Sequence, residues 1–173
     1  MVSTPSEMAQ HLQSDCIFCK IIKGEIPSFK IFENDKVFSF LDINPLSAGH
    51  TLIVPKYHAA SLHEIPQEYL TEIGSALGKV STALTKTIGM KDYNILQNNG
   101  KLAHQAVNQK KTLNFFVSIG KRILFFQKKK VFHVHFHIIP KTSKEDGLGV
   151  HWPMSGVEKE ALKELSQKIV SNL

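Results

Sequence analysis

The spacing of apolar residues changes several times along the chain, and each spacing predicts an element. From Pro66 to Ile88 the residues Tyr69, Leu70, Ile73, Leu77, Val80, Leu84 and Ile88 recur at threes and fours. That is the period of an amphipathic helix, with Pro66 suited to its first turn. Over 155–173, Val157, Leu162, Leu165, Ile169 and Val170 recur among alternating charges and predict a C-terminal helix. Shorter apolar runs bounded by turn residues predict strands at 29–33, 36–42, 50–55, 93–97 and 131–140. Asn34-Asp35 joins the first two of these, Asn44-Pro45 and Gly49 mark a loop, and Asn98-Asn99-Gly100 ends the fourth. Residues 16–23, CIFCKIIK, suit a short helical turn closed by Gly24 and Pro27. The polar stretch 1–14 reads as a flexible arm, and 15–173 as a single domain. The expected class is α+β: an antiparallel sheet of about five strands, one long helix packed on it, and a C-terminal helix.

Composition narrows the function classes. The chain has 173 residues, 42% hydrophobic and 21% charged, which suits a soluble globular domain. No apolar run approaches the ~20 residues of a membrane helix, and the N-terminus lacks a secretory core, so no membrane partner and a cytoplasmic or nuclear location are expected. The net charge of +6 invites a nucleic-acid reading. Lys110, Lys111, Lys121, Arg122, Lys128, Lys129 and Lys130 carry all of it, in one segment without an acidic residue, so no nucleic-acid partner is expected.

Two kinds of chemistry stand out. Cys16 and Cys19, the two cysteines, form a C-x-x-C, which suggests a metal half-site or a redox pair more than a structural disulfide, with small core residues as the plain alternative. The segment 132–140, FHVHFHIIP, alternates His133, His135 and His137 with Val134, Phe136 and Ile138. On a strand all three imidazoles share one face, ~6.5–7 Å apart, while the apolar face anchors the strand. Such a row suits either a catalytic metal site or attack on phosphorus by a neutral imidazole, with neighbouring donors stabilising the charge on oxygen.

HVHFHII resembles the His-φ-His-φ-His-φ-φ signature of the histidine-triad family. DCIFCKIIKGEIPS, VFSFLDINPLSAGHTLIVPKYH, YNILQNNGKLAHQAV and the late HWP extend the resemblance to its Hint branch, from about Asp15 to Val107 and again from about Phe132. The resemblance implies an adenosine 5′-monophosphoramidase that cleaves the P–N bond of nucleoside phosphoramidates through a nucleotidyl-histidine. It implies His135 as nucleophile and His137 as the donor to phosphate oxygens. His50 matches a family histidine near the nucleophile strand, which either orients the triad or is a buried hydrogen-bonding residue. Asp42 would take the ribose hydroxyls with Ile43 beside it, and Asn98 would bond near the sugar-phosphate. Gln105 and Ala106 match the loop that contacts phosphate, and His104 stands where relatives carry glycine or histidine. Singly, Asp42 reads equally well as an Asx turn and Asn98 as turn chemistry. Relatives with the C-x-x-C hold a structural zinc, which here implies Cys16, Cys19, His58 and His133 as ligands and no organic cofactor. They are homodimers through the long helix and the 93–97 strand, with the tail at His151, Trp152 and Pro153 reaching toward the partner's site.

One segment departs from that pattern. Relatives run directly from the Gln-x-Val element into the triad strand, whereas here about 107–131 intervenes, VNQKKTLNFFVSIGKRILFFQKKKV. Without 107–130 the chain reads HQA-VFHVHFHIIP. The clean seam and the Lys- and Phe-rich composition suggest an in-frame retained intron, and a basic surface loop is the alternative. Two rival functions remain. One is a dinucleoside polyphosphate hydrolase of the Fhit type on the same fold. The other is a purine-nucleotide-binding or scaffold protein without turnover.

Overall fold

The computed structural model describes residues 11–105, 118–119, 122–123, 132–151, 156 and 158–173. A short helix, α1 (Ile17–Ile22), is followed by β1 (Lys30–Glu33), β2 (Val37–Leu41) and β3 (Thr51–Pro55). A 3-10 turn at Leu62–Glu64 leads into the long helix α2 (Gln67–Ile88), and then come β4 (Asp92–Gln97) and the two-residue strands β5 (Ser118–Ile119) and β6 (Arg122–Ile123). The triad segment supplies β7 (Phe136–Lys141), and α3 (Lys159–Val170) follows. The main sheet has five strands in the order β1-β2-β3-β7-β4, every neighbour antiparallel. The α+β reading, the five strands and the long helix are therefore all present.

Both faces of the sheet are covered at its centre, which is why β3 is buried at every position. Val37, Ile53 and Ile138 point to one face, where Ile73, Ala76, Val80 and Leu84 of α2 pack on them. The intervals of three and four between those helix residues put them on one stripe, as the sequence period requires. Pro66 sits one residue before the first helical residue, and Gly89 closes the helix at φ 65°, a conformation that costs glycine little. On the opposite face Phe18, Cys19 and Ile21 of α1 pack against Phe38, Phe40, Leu52 and Val54.

The triad segment departs from a regular strand in its first half. Ladder pairing with β3 ends at Ile53 opposite Phe136, so residues 132–135 lie outside the sheet ladder. They pair elsewhere: the Val134 N–H donates to the Ala59 carbonyl at 2.9 Å. Alternation survives this. Val134 packs with Ala59, Ile65 and Tyr69, and Ile138 lies against α2. His137 instead stands opposite Leu52 and Leu96. Most of the 107–131 insert lies outside the described residues. Within it β5 and β6 pair antiparallel with each other, Ser118 opposite Ile123. No helix among the described residues is long and apolar enough to cross a membrane.

Candidate functional site

Four ligand atoms converge where α1 meets the triad segment and the loop after β3. The Cys16 sulfur lies 3.4 Å from His133 Nδ1, and the Cys19 sulfur lies 3.3 Å from His58 Nδ1 and 3.6 Å from His133 Nδ1. Cys16, Cys19 and His133 are buried. With metal–sulfur and metal–nitrogen bonds of ordinary zinc length, the sulfur-to-nitrogen edge of a tetrahedron is about 3.6 Å. The observed spacings are those of a closed four-ligand site. The His133 tautomer agrees, because its Nε2 lies 3.0 Å from the Pro55 carbonyl, which can only accept. Nε2 therefore carries the proton, and Nδ1 turns its lone pair to the cluster. Cys16 is held well below the usual thiol range by the hydrogen bond from Cys19, against the cost of burial and with help from His133 and His58. Cys19 moves up because it keeps that proton and is buried. Two soft sulfurs and two imidazoles can hold a metal ion.

The other histidines form a second group beside it. Backbone atoms assign their protons, because a peptide N–H only donates and a carbonyl only accepts. His135 Nδ1 lies 2.7 Å from the His133 carbonyl and so donates to it. Its Nε2 is left with a free lone pair. The Leu46 N–H donates to His50 Nδ1 at 3.1 Å. His50 Nε2 then bears the proton and donates to His137 Nδ1 at 2.9 Å. His137 in turn carries its proton on Nε2. Burial holds His50 low, partly opposed by the Asp42 carboxylate. It also holds His135 low, partly opposed by the hydrogen bond to the His133 carbonyl. His137 falls to about 3, through burial first and then its neighbours His135 and His50. All three rings are neutral near pH 7. The His135 and His137 rings stand edge to face with centroids 4.9 Å apart, closer than bare strand spacing because they lean together. A bare lone pair and an N–H donor thus sit side by side. Asp42, His50 and His137 also lie close enough to one another to suggest a metal. The facing nitrogens of His50 and His137 share one proton along a hydrogen bond, so they do not converge on a common ion as they stand.

The remaining expected residues surround this pair unevenly. One Asp42 oxygen accepts the Asn44 N–H at 2.8 Å, an Asx turn, and the other lies 3.8 Å from His50 Nδ1. Ile43 is 68% exposed beside it. Asn98 donates to the His104 carbonyl at 3.4 Å, across a turn in which His104 adopts φ 58°. That left-handed backbone is one glycine adopts readily. Both ends of the buried Gln105 amide are engaged by backbone: Nε2 donates to the Ala60 carbonyl and Oε1 accepts from the Gly100 N–H, each at 2.7 Å. The Gln105 side chain therefore fastens the 98–105 loop to the 58–62 loop. Ala106, Trp152 and Pro153 lie outside the described residues, and His151 is exposed. Sequence reasoning missed the Leu46 N–H, which fixes the His50 proton and would do so whatever side chain Leu46 carried.

Comparison with known proteins gives a consistent set. Residues 23–110 match the HIT domain family. The chain is 42% identical over 170 residues to adenosine 5′-monophosphoramidase HNT1 of Candida albicans, covering 96% of this chain and 95% of that one. It is 43% identical over 158 residues to the Schizosaccharomyces pombe protein of the same name, covering 91% and 98%. Among solved structures, a histidine triad nucleotide-binding protein from Candida albicans superposes with a TM-score of 0.71 at 42% identity, over 91% of this chain and 96% of that one. A hypothetical protein from Leishmania major gives 0.72 at 41% identity, over 91% and 94%.

Proposed function

The chain belongs to the HIT domain family, and from that premise we propose that it hydrolyses the P–N bond of adenosine 5′-phosphoramidates, releasing AMP and an amine. One observation carries the reading: the opposed tautomers of His135 and His137, each traced to a backbone group. The His135 Nε2 lone pair attacks phosphorus while the His137 Nε2–H donates to a nonbridging oxygen. As the imidazole becomes cationic, its Nδ1–H stays bonded to the His133 carbonyl. The nitrogen takes a proton from solvent and leaves as the amine; water then cleaves the nucleotidyl-histidine, returning a proton to solvent, and neutral His135 is regenerated. Attack needs a neutral nucleophile, which burial of His135 supplies. Asp42 would accept the ribose hydroxyls and Ile43 would contact the purine.

The ion for the Cys16, Cys19, His58 and His133 cluster is, on this reading, a structural zinc. All four positions are filled by protein, so it would tie α1 and the loop after β3 to the triad strand. Both cysteines are free thiols, and a reducing compartment, cytoplasm or nucleus, keeps them so. The functional unit is a homodimer. Support comes from β4, an edge strand whose Tyr93 and Ile95 side chains lie on the α2 face and are 42% and 49% exposed, near Ile88 at 41%.

The test is turnover of adenosine 5′-phosphoramidate by the chain as written and by a version lacking 107–130, with His135→Ala as the blank. The expected result is AMP release by both, abolished in the His135→Ala chain. Turnover by the shortened chain alone would support the chemistry and assign the insert a blocking effect. Tight AMP binding without turnover in either would overturn the enzyme reading.

A further inference from the structure

We propose that Ser47 is a positioning residue for this reaction, acting through the proton relay of His50 and His137; the proposal rests on the phosphoramidase reading of the site. Ser47 is buried, and its hydroxyl donates to the Pro140 carbonyl at 2.5 Å. Pro140 lies on β7, the strand that carries His137. The loop between β2 and β3 is thus fastened to the triad strand twice, by Ser47 at Pro140 and by His50 at His137. Between these two points the loop closes on itself: the His50 N–H donates to the Ser47 carbonyl at 3.1 Å, and the Leu46 N–H donates to His50 Nδ1. Ser47 is therefore the side-chain anchor next to the peptide that assigns the His50 proton.

Space behind the loop leaves little slack. Gly49 adopts φ +85°, and a Cβ there would lie 2.7 Å from Ile88 Cδ1. On the other side the Asx turn of Asp42 and Asn44 begins the loop. Without the Ser47 hydroxyl, the Leu46 N–H is free to leave His50 Nδ1. The neutral imidazole then has a second tautomer open to it, with the proton on Nδ1 and Asp42 Oδ2 at 3.8 Å to favour it. In that tautomer His50 Nε2 is an acceptor. His137 Nδ1 must then donate, and His137 Nε2 presents a lone pair to the phosphate oxygens instead of a proton. Attraction becomes repulsion at the atom that holds the transition-state charge.

The experiment uses the full chain with 15N-labelled histidine. Imidazole nitrogen shifts of His50 and His137 distinguish the two tautomers and need no turnover, so failure of the phosphoramidase reading would not mask the result. Ser47→Ala is expected to give a mixture of tautomers at pH 7.5, with kcat down about tenfold and KM within about twofold, the scale of one lost transition-state hydrogen bond. Ser47→Thr, which keeps the hydroxyl, is expected to restore both the nitrogen pattern and kcat. A Ser47→Ala chain with the parent nitrogen pattern, whatever its rate, overturns the proposal. So does a pattern or a rate that Ser47→Thr fails to restore.

Discussion

The depressed His137 ring makes stability depend on pH in a calculable way. Its ordinary value of 6.5 applies to the unfolded chain, and about 3 to the folded one. Above pH 6.5 both states are neutral at this ring and it contributes nothing to the pH dependence. As pH falls below 6.5 the unfolded chain takes up a proton that the folded chain refuses, so stability is lost down to pH 3. At pH 5 the unfolded ring has gained about 2 kcal/mol of protonation free energy, at 1.36 kcal/mol per unit. The ring is only partly shielded from solvent, so the observable loss is set at about 1–2 kcal/mol. His137→Gln retains an acceptor for the His50 Nε2–H and a donor for phosphate but has nothing to titrate. Urea unfolding of both chains at pH 7.5 and pH 5 measures the effect. His50 and His135 are depressed in the same direction. These contributions cancel in the difference between the two chains. The parent is expected to lose about 1–2 kcal/mol more than His137→Gln over this interval. Parallel losses would refute the buried neutral ring, and with it the proton assignment that makes His137 a donor.

Three further outcomes follow from other parts of the molecule. Cys19→Ser removes one ligand of the Cys16, Cys19, His58 and His133 cluster; with zinc a few hundred times above its Kd for the parent, the variant should lose roughly 3 kcal/mol of stability, and its Tm should stop responding to added zinc or chelator. Ile95→Glu places a carboxylate on the exposed β4 edge; sedimentation equilibrium should show the proposed dimer weakened by about a hundredfold or more, with the monomer still folded. Ser39 is buried with its hydroxyl unpartnered among the described residues, so Ser39→Ala should leave stability unchanged or raise it by up to about 1 kcal/mol in denaturant titration, where most core truncations lower it.

What the sequence revealed and what it hid divide along a physical line. Side-chain alternation is local: His133, His135 and His137 announce a shared face because a strand repeats every two residues. The stripe from Tyr69 to Leu84 announces its helix for the same reason. The C-x-x-C is local too, and the structure brings Cys16 and Cys19 together with His133 and His58. Peptide groups carry no sequence signal. The Leu46 N–H and the His133 carbonyl set which nitrogen of His50 and of His135 bears the proton, and neither depends on the side chain of its own residue. Gln105 stands out in the sequence, but its geometry does not. Its partners, Ala60 and Gly100, are again backbone. The strand boundary was misjudged by five residues because Val134 is paired by a loop carbonyl rather than by the sheet.

That same loop bears on the insert between Gln105 and the triad. The Ala60 carbonyl accepts the Gln105 side chain, and the Ala59 carbonyl, one residue earlier, accepts the Val134 N–H. The two described ends of the interruption are thus held by consecutive carbonyls of one short loop, whose next residue back, His58, lies 3.3 Å from the Cys19 sulfur. A segment whose ends are pinned together can lengthen at low cost, because the closure entropy grows only with the logarithm of length: going from a few residues to about thirty adds about 2 kcal/mol. This is why the chain as written and the chain lacking 107–130 are both expected to turn over substrate. The positions of Gln105 and Val134 are set by the Ala60 and Ala59 carbonyls, not by the length of chain between them. If the ends were instead held only by continuity of the backbone, the insert would separate them, and activity would return only on its removal.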